Sequence, residues 1–410
     1  MSLNSYTIVF LFFVLCSRSA AYDALDPNGN ITIKWDVISW TPDGYVAVVT
    51  MNNFQMYRPI VSPGWTLGWT WAKNEVIWAM MGAQATDQGD CSKFRGNIPH
   101  SCEKKPAIVD LLPNTPYNQQ IANCCKGGVI ASMGKDSSAA LSAFQIAVGA
   151  AGTTNRTVKL PKNFTFVAPG GGYTCGPAKI IRPTRFITPD GRRITQAMSK
   201  SFKPYIEMTW RVVCTYSQFI ASPKPTCCVS LSSFHNASVT PCPSCSCGCR
   251  KSSNCVMKGV NKPVLQCTKH MCPVNVHWHV KSNYNKYWNV KMTITNFNYR
   301  FNYTHWTLVV QHPNLNKATK VSSFVYKPLM PNLSTNDTAL FYGRKAYNDV
   351  LMQAGPKGNV HSDLTLEKDR KTLALKKGWA FPRRVYFNGN PCVMPSPESC
   401  PYLPNSAGAK

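Results

Sequence analysis

The sequence predicts an all-β protein: two β-sandwich modules joined by a cysteine-rich, disulfide-bonded connector. Three observations predict it. Apolar residues alternate at period two along many short segments, and helical periodicity is weak throughout. A stretch dense in cysteine lies mid-chain. An aromatic pattern near the N-terminus also returns late in the sequence, as "NNFQMYRPIVSPGWTLGW" (52–69) and "NFNYRFNYTHWTLVV" (296–310).

Taken in order, residues 6–16 ("YTIVFLFFVLC") and the small residues "SRSAA" read as a secretory signal cleaved after Ala21, giving a signal peptide over 1–21. "GNITIKWDVISW" (29–40) and "GYVAVVTMNNF" (44–54) alternate and are split by Pro42-Asp43-Gly44, a hairpin signal. "GWTLGWTWAKNEVIWAM" (64–80) continues in strands, with Trp65, Trp69 and Trp71 on one face if the strand stays regular. A Pro-rich, Cys-containing loop region follows (91–128), and residues 137–149 fit helix or strand. Two strands are expected over 155–173 and a last one over 208–219. The first sandwich is placed at 22–220, the connector at 221–273 and the second sandwich at 274–395. A spacer covers 396–410. The best short helix candidate is 339–355. The aromatic echo reads as a duplicated module with Trp65 and Trp306 equivalent.

Export implies oxidised cysteines and glycans. Seven N-x-S/T sequons follow the signal, at Asn30, Asn155, Asn163, Asn236, Asn302, Asn332 and Asn336. Removing Cys16 from eighteen cysteines leaves an odd number, so at least one thiol lacks an intrachain partner. The doublets Cys124-Cys125 and Cys227-Cys228 are expected to pair outward, because bridges between neighbours are strained. "PCPSCSCGC" (241–249) with His270, His277 and His279 has metal-ligand residue types, but oxidation competes for those cysteines, and no metal or cofactor is expected.

A formal charge of +27 points to acidic partners: polyuronates, anionic membrane surfaces or, least in a secreted protein, nucleic acid. From residue 208 to 336 there is no carboxylate and there are 14 Lys and Arg, so paired-carboxylate hydrolysis cannot be built there. The sequence has no G-x-S-x-G, H-E-x-x-H or catalytic cysteine signature, and Asp87, Asp90, Asp363, Glu367 and Asp369 sit in polar segments. An enzyme is disfavoured.

Trp35, Trp40, Tyr45, Tyr57, Trp65, Trp69, Trp71 and Trp78 lie within 44 residues. Their rings suit polysaccharides, since pyranoses present flat C–H faces to an electron-rich π-face. Any single ring is expected in the core. Of the eight, at least two are expected to face water as a carbohydrate-binding strip.

"GNITIKWDVISWTPDGYVAVVTMNNFQ", "GDCSKFRGNIPHSC", "VDLLPNTPYNQQIANCCKGGV", "CCVSLSSF", "HMCPVNVHWHVK", "ITNFNYRFNYTHWTLVVQHPNLN" and "GWAFPRRVYFNG" closely resemble the plant COBRA-like proteins, from about Tyr22 to Ala407 and most of all the brittle-culm branch. The resemblance implies a non-enzymatic, lipid-anchored wall protein needed for cellulose microfibril deposition and crystallinity, with an N-terminal carbohydrate-binding module that contacts cellulose through aromatics. It implies cellulose as partner and the outer membrane leaflet through an anchor; the charge, read by itself, adds acidic wall polysaccharides. The runner-up is an electrostatic adhesin for pectin or membrane. Three departures stand out. The anchor would attach at Asn405, beside Ser406 and Ala407, but the hydrophobic tail that directs attachment in the family does not follow, so the sequence as written cannot receive the lipid and is either a truncated or a freely secreted form. "SKSFKPYIE" (199–207) reads as an insertion. Cys400 replaces an aromatic and is the expected unpaired thiol.

Overall fold

The computed structural model describes residues 23, 25–182, 185–187, 194–196, 208–221, 226–234, 236–242, 272–284, 286–298, 301–313, 315, 320–329, 337–368 and 380–400. The signal peptide, the insertion at 199–207, most of the connector with His270, and the C-terminal spacer from 401 lie outside these residues.

The first half contains β1 (Ile31–Trp40), β2 (Tyr45–Asn53), β3 (Thr66–Thr70), β4 (Val76–Met81), β5 (Ala83–Ala85), β6 (Ala107–Asp110), β7 (Leu141–Gly149), β8 (Lys162–Val167), β9 (Tyr173–Cys175), β10 (Lys179–Ile181), β11 (Arg185–Ile187), β12 (Ile194–Gln196) and β13 (Thr209–Tyr216). One sheet runs β10-β13-β1-β2-β7-β4, with β9 also on β13, and a second runs β5-β6-β3-β8. The alternation in β1 and β2 is the reason: Ile33, Trp35 and Val37 point inward with Ala47, Val49 and Met51. Trp35 meets Trp69 and Trp71 of the other layer edge-on at 5.1 and 6.3 Å and stacks on Trp210 at 5.4 Å. Such rings bury about 150–250 Å² each and dominate core energetics.

The second half contains β14 (Cys227–Ser233), β15 (Asn236–Thr240), β16 (Val274–Asn283), β17 (Tyr287–Asn296), β18 (Leu308–Gln311), β19 (Lys320–Val321), β20 (Phe324–Leu329), β21 (Thr338–Gly343), β22 (Asn359–Glu367), β23 (Arg384–Phe387) and β24 (Asn390–Pro391). Its sheets run β15-β14-β16-β17-β22-β19 and β20-β21-β18-β23-β24. The segment read as connector therefore opens with two strands of the second sandwich. The helix expected at 339–355 is strand β21 followed by three short 3-10 turns. Ala339, Leu340 and Phe341 are buried, which suits a strand inside a sheet.

The echo is a whole-module duplication. Strands β1–β8 recur as β16–β23 in the same pairing: β3 and β18 each sit between their counterparts, and β4 and β19 each edge the first sheet of their sandwich. Trp35 and Trp278, Val37 and Val280, and Asn53 and Asn296 all share a spacing of 243 residues. Both hairpins carry a register shift at the same place, Val37/Ser39 and Val280/Ser282. Asn53 donates its amide to Arg58 O and accepts from the N–H of Gln55; Asn296 donates to Phe301 O and accepts from that of Asn298. Trp65 and Trp306 are both buried at the entry to their central strands.

The sandwiches dock through a small apolar core of Tyr57, Val309, Leu329 and Leu340. Tyr57 donates its hydroxyl to Asp23 at 2.6 Å, and Thr307 donates to Tyr57 O at 2.6 Å. Arg58 donates to Gly389 O at 2.7 Å, faces Asp23 at 3.5 Å and stacks 3.5 Å over the Tyr216 ring. Lys135 is buried at this junction and donates to Asn348 at 3.0 Å. Burial pushes its ammonium down to about 7, while Asp349 and Asp136 pull upward. His305 and Lys327 lie in the same group: burial, and then the charge of Lys135, hold His305 below its usual range, and Lys135 and Lys327 share the Tyr342 ring.

Two outcomes follow from the junction. Tyr57→Ala costs about 3–5 kcal/mol of stability, read from urea midpoints; a loss under about 1 kcal/mol contradicts the interface role. Lys135 is depressed in the fold, so between pH 7 and about 10 the unfolded chain holds a proton the folded chain lacks, and stability rises with pH across that window. Lys135→Met flattens the rise and adds about 1–2 kcal/mol at pH 6; superimposable wild-type and variant profiles contradict it.

Candidate functional site

Six of the eight aromatic candidates are interior. Trp35, Tyr45, Tyr57, Trp65, Trp69 and Trp71 are each 2% exposed or less, so none can stack on a ligand. This corrects the expectation that Trp65, Trp69 and Trp71 form an outward strip. They do share a side, but it is the core side, and a register shift between Gly68 and Thr70 interrupts their strand. Tyr57 instead plugs the junction between the sandwiches.

Trp40 and Trp78 are half-buried and lie at the same end of the first sheet. Trp40 closes β1 opposite Tyr45, whose buried ring it meets edge-on at 6.2 Å. Trp78 is the extra residue of a bulge between Ile77 and Ala79, and bulges re-aim side chains. Its indole N–H donates to the Asp43 carboxylate at 3.2 Å, and its ring meets half-buried Phe94 at 5.4 Å and 81°. Asp43 belongs to the β1–β2 turn, where Thr41 N–H donates to Gly44 O at 2.9 Å. By strand count, β1 and β4 are three spacings apart, roughly 14 Å.

Two glycines make this end possible. A Cβ on Gly149 would lie 2.0 Å from Trp78 Nε1 and 2.5 Å from Asp43 Oδ2, and one on Gly44 would lie 2.0 Å from Val148 O. Phe94 and Asp43 were not among the sequence candidates. No periodicity links residues 43, 78 and 94; only the Pro42-Asp43-Gly44 turn signal marked the place.

The remaining candidates are also located. Asn163 and Asn302 are exposed, while Asn30 and Asn155 are half-buried. Asn30 accepts from Thr32 of its own sequon at 2.8 Å. Asn236 lies in β15; Asn332, Asn336 and Asn405 lie outside the described residues. Cys227 pairs with Cys392 and Cys228 with Cys242, outward as expected. Cys124 and Cys125 pair with each other, against expectation. Left-handed Asn123 and Cys125 turn that loop tightly, and the Asp110 carboxylate fixes it by accepting from the N–H groups of Cys125, Lys126 and Gly128 at 2.8–2.9 Å. Cys400 is the free cysteine among the described residues.

The sulfurs of Cys228, Cys242 and Cys272 lie close together, but all three are in disulfides, and a disulfide sulfur is not a thiolate ligand. His277 and His279 face the same way, as their spacing predicts. Their nitrogens are taken up by serines: Ser230 bonds His277 at 2.7 Å, and Ser232 bridges His277 and His279 at 2.8 and 2.7 Å. Desolvation lowers the pKa of both rings. These sulfur and imidazole donors, among the described residues, do not converge on one ion. Among the described residues, no helix is long and apolar enough to cross a membrane.

Gly149→Ala pushes the Trp78 indole off Asp43. The accessible fraction of tryptophan fluorescence rises under acrylamide quenching, at a stability cost of about 1–3 kcal/mol. Unchanged quenching means Trp78 does not depend on that glycine.

The comparisons agree with this organisation. The sequence matches the COBRA N-terminal domain over residues 45–217 and the COBRA family C-terminal domain over 226–264 and 252–401. It is 62% identical to COBRA-like protein 4 of Arabidopsis thaliana over 98% of this chain and 94% of that protein. Identity to Protein COBRA of the same plant is 60%, over 98% and 91%. For COBRA-like protein 5 of Oryza sativa subsp. japonica it is 58%, over 98% and 93%. On these matches, the chain belongs to the COBRA family.

Proposed function

We propose that this is a non-enzymatic, N-glycosylated protein of the plant cell wall that binds cellulose and promotes ordered microfibril deposition. The observation that carries the reading is the pair of half-exposed indoles, Trp40 and Trp78, held at one end of a rigid sandwich. Trp78 is fixed from two sides, by Asp43 and by Phe94, so little rotamer freedom is lost when a sugar face settles on it. Indoles laid against glucan chains as they coalesce favour lateral order. The charge of +27 would hold the protein among acidic polymers. The exposed sequons Asn163 and Asn302, the disulfides and the family membership support an extracellular setting at the membrane or wall, with Asn405 as the proposed point of lipid attachment.

Cellulose pull-down of the purified protein tests the reading. Trp78→Ala and Trp40→Ala each lower retention roughly 5- to 150-fold, the range that about 1–3 kcal/mol of ring stacking represents. Retention changes little between 50 and 200 mM salt. Wild-type retention by the double variant, or a steep fall with salt of the kind counterion release produces, makes charge the contact instead.

A further inference from the structure

The duplication assigns the β16–β17 turn, residues 284–287, to the position that the β1–β2 turn occupies in the first sandwich. The two turns close with the same bond: Thr41 N–H to Gly44 O at 2.9 Å, and Tyr284 N–H to Tyr287 O at 2.9 Å. Tyr284 and Tyr287 thus replace Thr41 and Gly44, and Trp288 stands where Tyr45 stands. Trp288 is buried like Tyr45, but Tyr284 and Tyr287 are 56% and 37% exposed. Two tyrosines on a tight turn, displayed to water, have no core role that accounts for them.

The chemistry around this tip differs from that of the first. The first tip holds Asp43 against Trp78. The second holds exposed Lys286, and Lys368 lies 4.4 Å over the Trp288 ring. Exposed Lys320 is paired with Thr365 farther along β22, and among the described residues exposed Glu367 is the carboxylate opposite Tyr287. Among the described residues, Lys286 is the cation on the turn itself, between the two phenols in sequence. The turn also falls within the carboxylate-free run from 208 to 336.

We propose that the tip formed by Tyr284, Lys286 and Tyr287 is a second polysaccharide site, and that its ligand is an acidic, uronate-bearing polymer. Phenol rings take the sugar faces, and the lysines face the carboxylates. A neutral glucan fits less well, because it offers exposed Lys286 no counter-charge. An anionic membrane fits less well too, because two rings on a four-residue turn offer a narrow ridge and not a broad apolar surface. This rests on the reading of the first tip as a glycan contact. The protein then joins two different polymers, a neutral one at one turn and an acidic one at its duplicate.

The test uses the full chain in parallel retention on de-esterified polygalacturonate, microcrystalline cellulose and phosphatidylserine vesicles, with thermal midpoints as the control for folding. The Tyr284→Ala/Tyr287→Ala variant loses at least tenfold in polygalacturonate retention and keeps wild-type cellulose retention. Lys286→Gln lowers polygalacturonate retention several-fold and reduces its salt dependence. Wild-type retention on polygalacturonate by the double tyrosine variant overturns the site. Loss on cellulose or on vesicles in its place overturns the ligand class. A wild-type chain held by cellulose but not by polygalacturonate overturns this inference alone, whereas a chain not held by cellulose overturns the reading it rests on.

Discussion

The interlayer packing of one tryptophan per sandwich constrains the rest of the molecule. Trp35 draws Trp69, Trp71 and Trp210 around it. Trp278 is sealed in the second core and donates its indole N–H to Ala380 O at 2.9 Å. Once those rings are committed inward, strand alternation fixes which neighbours follow them. Nearly all the aromatic wealth of the first module is then core. Of the eight candidate rings, the two left partly exposed stand where the sheet ends or its register slips, at the end of β1 and at the bulge in β4, while Phe54, Tyr117 and Phe219 are exposed outside the strands.

That geometry gives each sandwich a stable body and, at one end, a turn whose residues its strands hold in place. The body sets the orientation of the turn; the turn and its supporting glycine set the ring. Because the module is used twice, the same end exists twice, and its residues have diverged: Thr41-Pro42-Asp43-Gly44 in one and Tyr284-Asn285-Lys286-Tyr287 in the other. The junction through Tyr57 and Arg58 holds the two sandwiches together, so two ends can act as parts of one protein.

Much of the fold was legible. Apolar alternation runs through β2 and β17, and through β1 and β16 as far as their register shifts, and the Trp-Thr-Leu echo marked a true repeat. The side on which a ring falls was not legible, since parity alone places Trp65, Trp69 and Trp71 together but cannot say whether together means inside. The bulge that turns Trp78 outward has no residue signature. The helix expected at 339–355 failed because an apolar run of three can serve a central strand equally well, and tertiary pairing with β18 decides. The Cys124–Cys125 bridge was hidden because the tight loop that permits it is organised from elsewhere, by Asp110.

The most direct measurement is oxidative footprinting of the full chain with and without microcrystalline cellulose. Protection at Trp40, Trp78 and Phe94, with Tyr284 and Tyr287 still reactive, is the predicted result. Equal reactivity of Trp40 and Trp78 in the bound and free protein would contradict it.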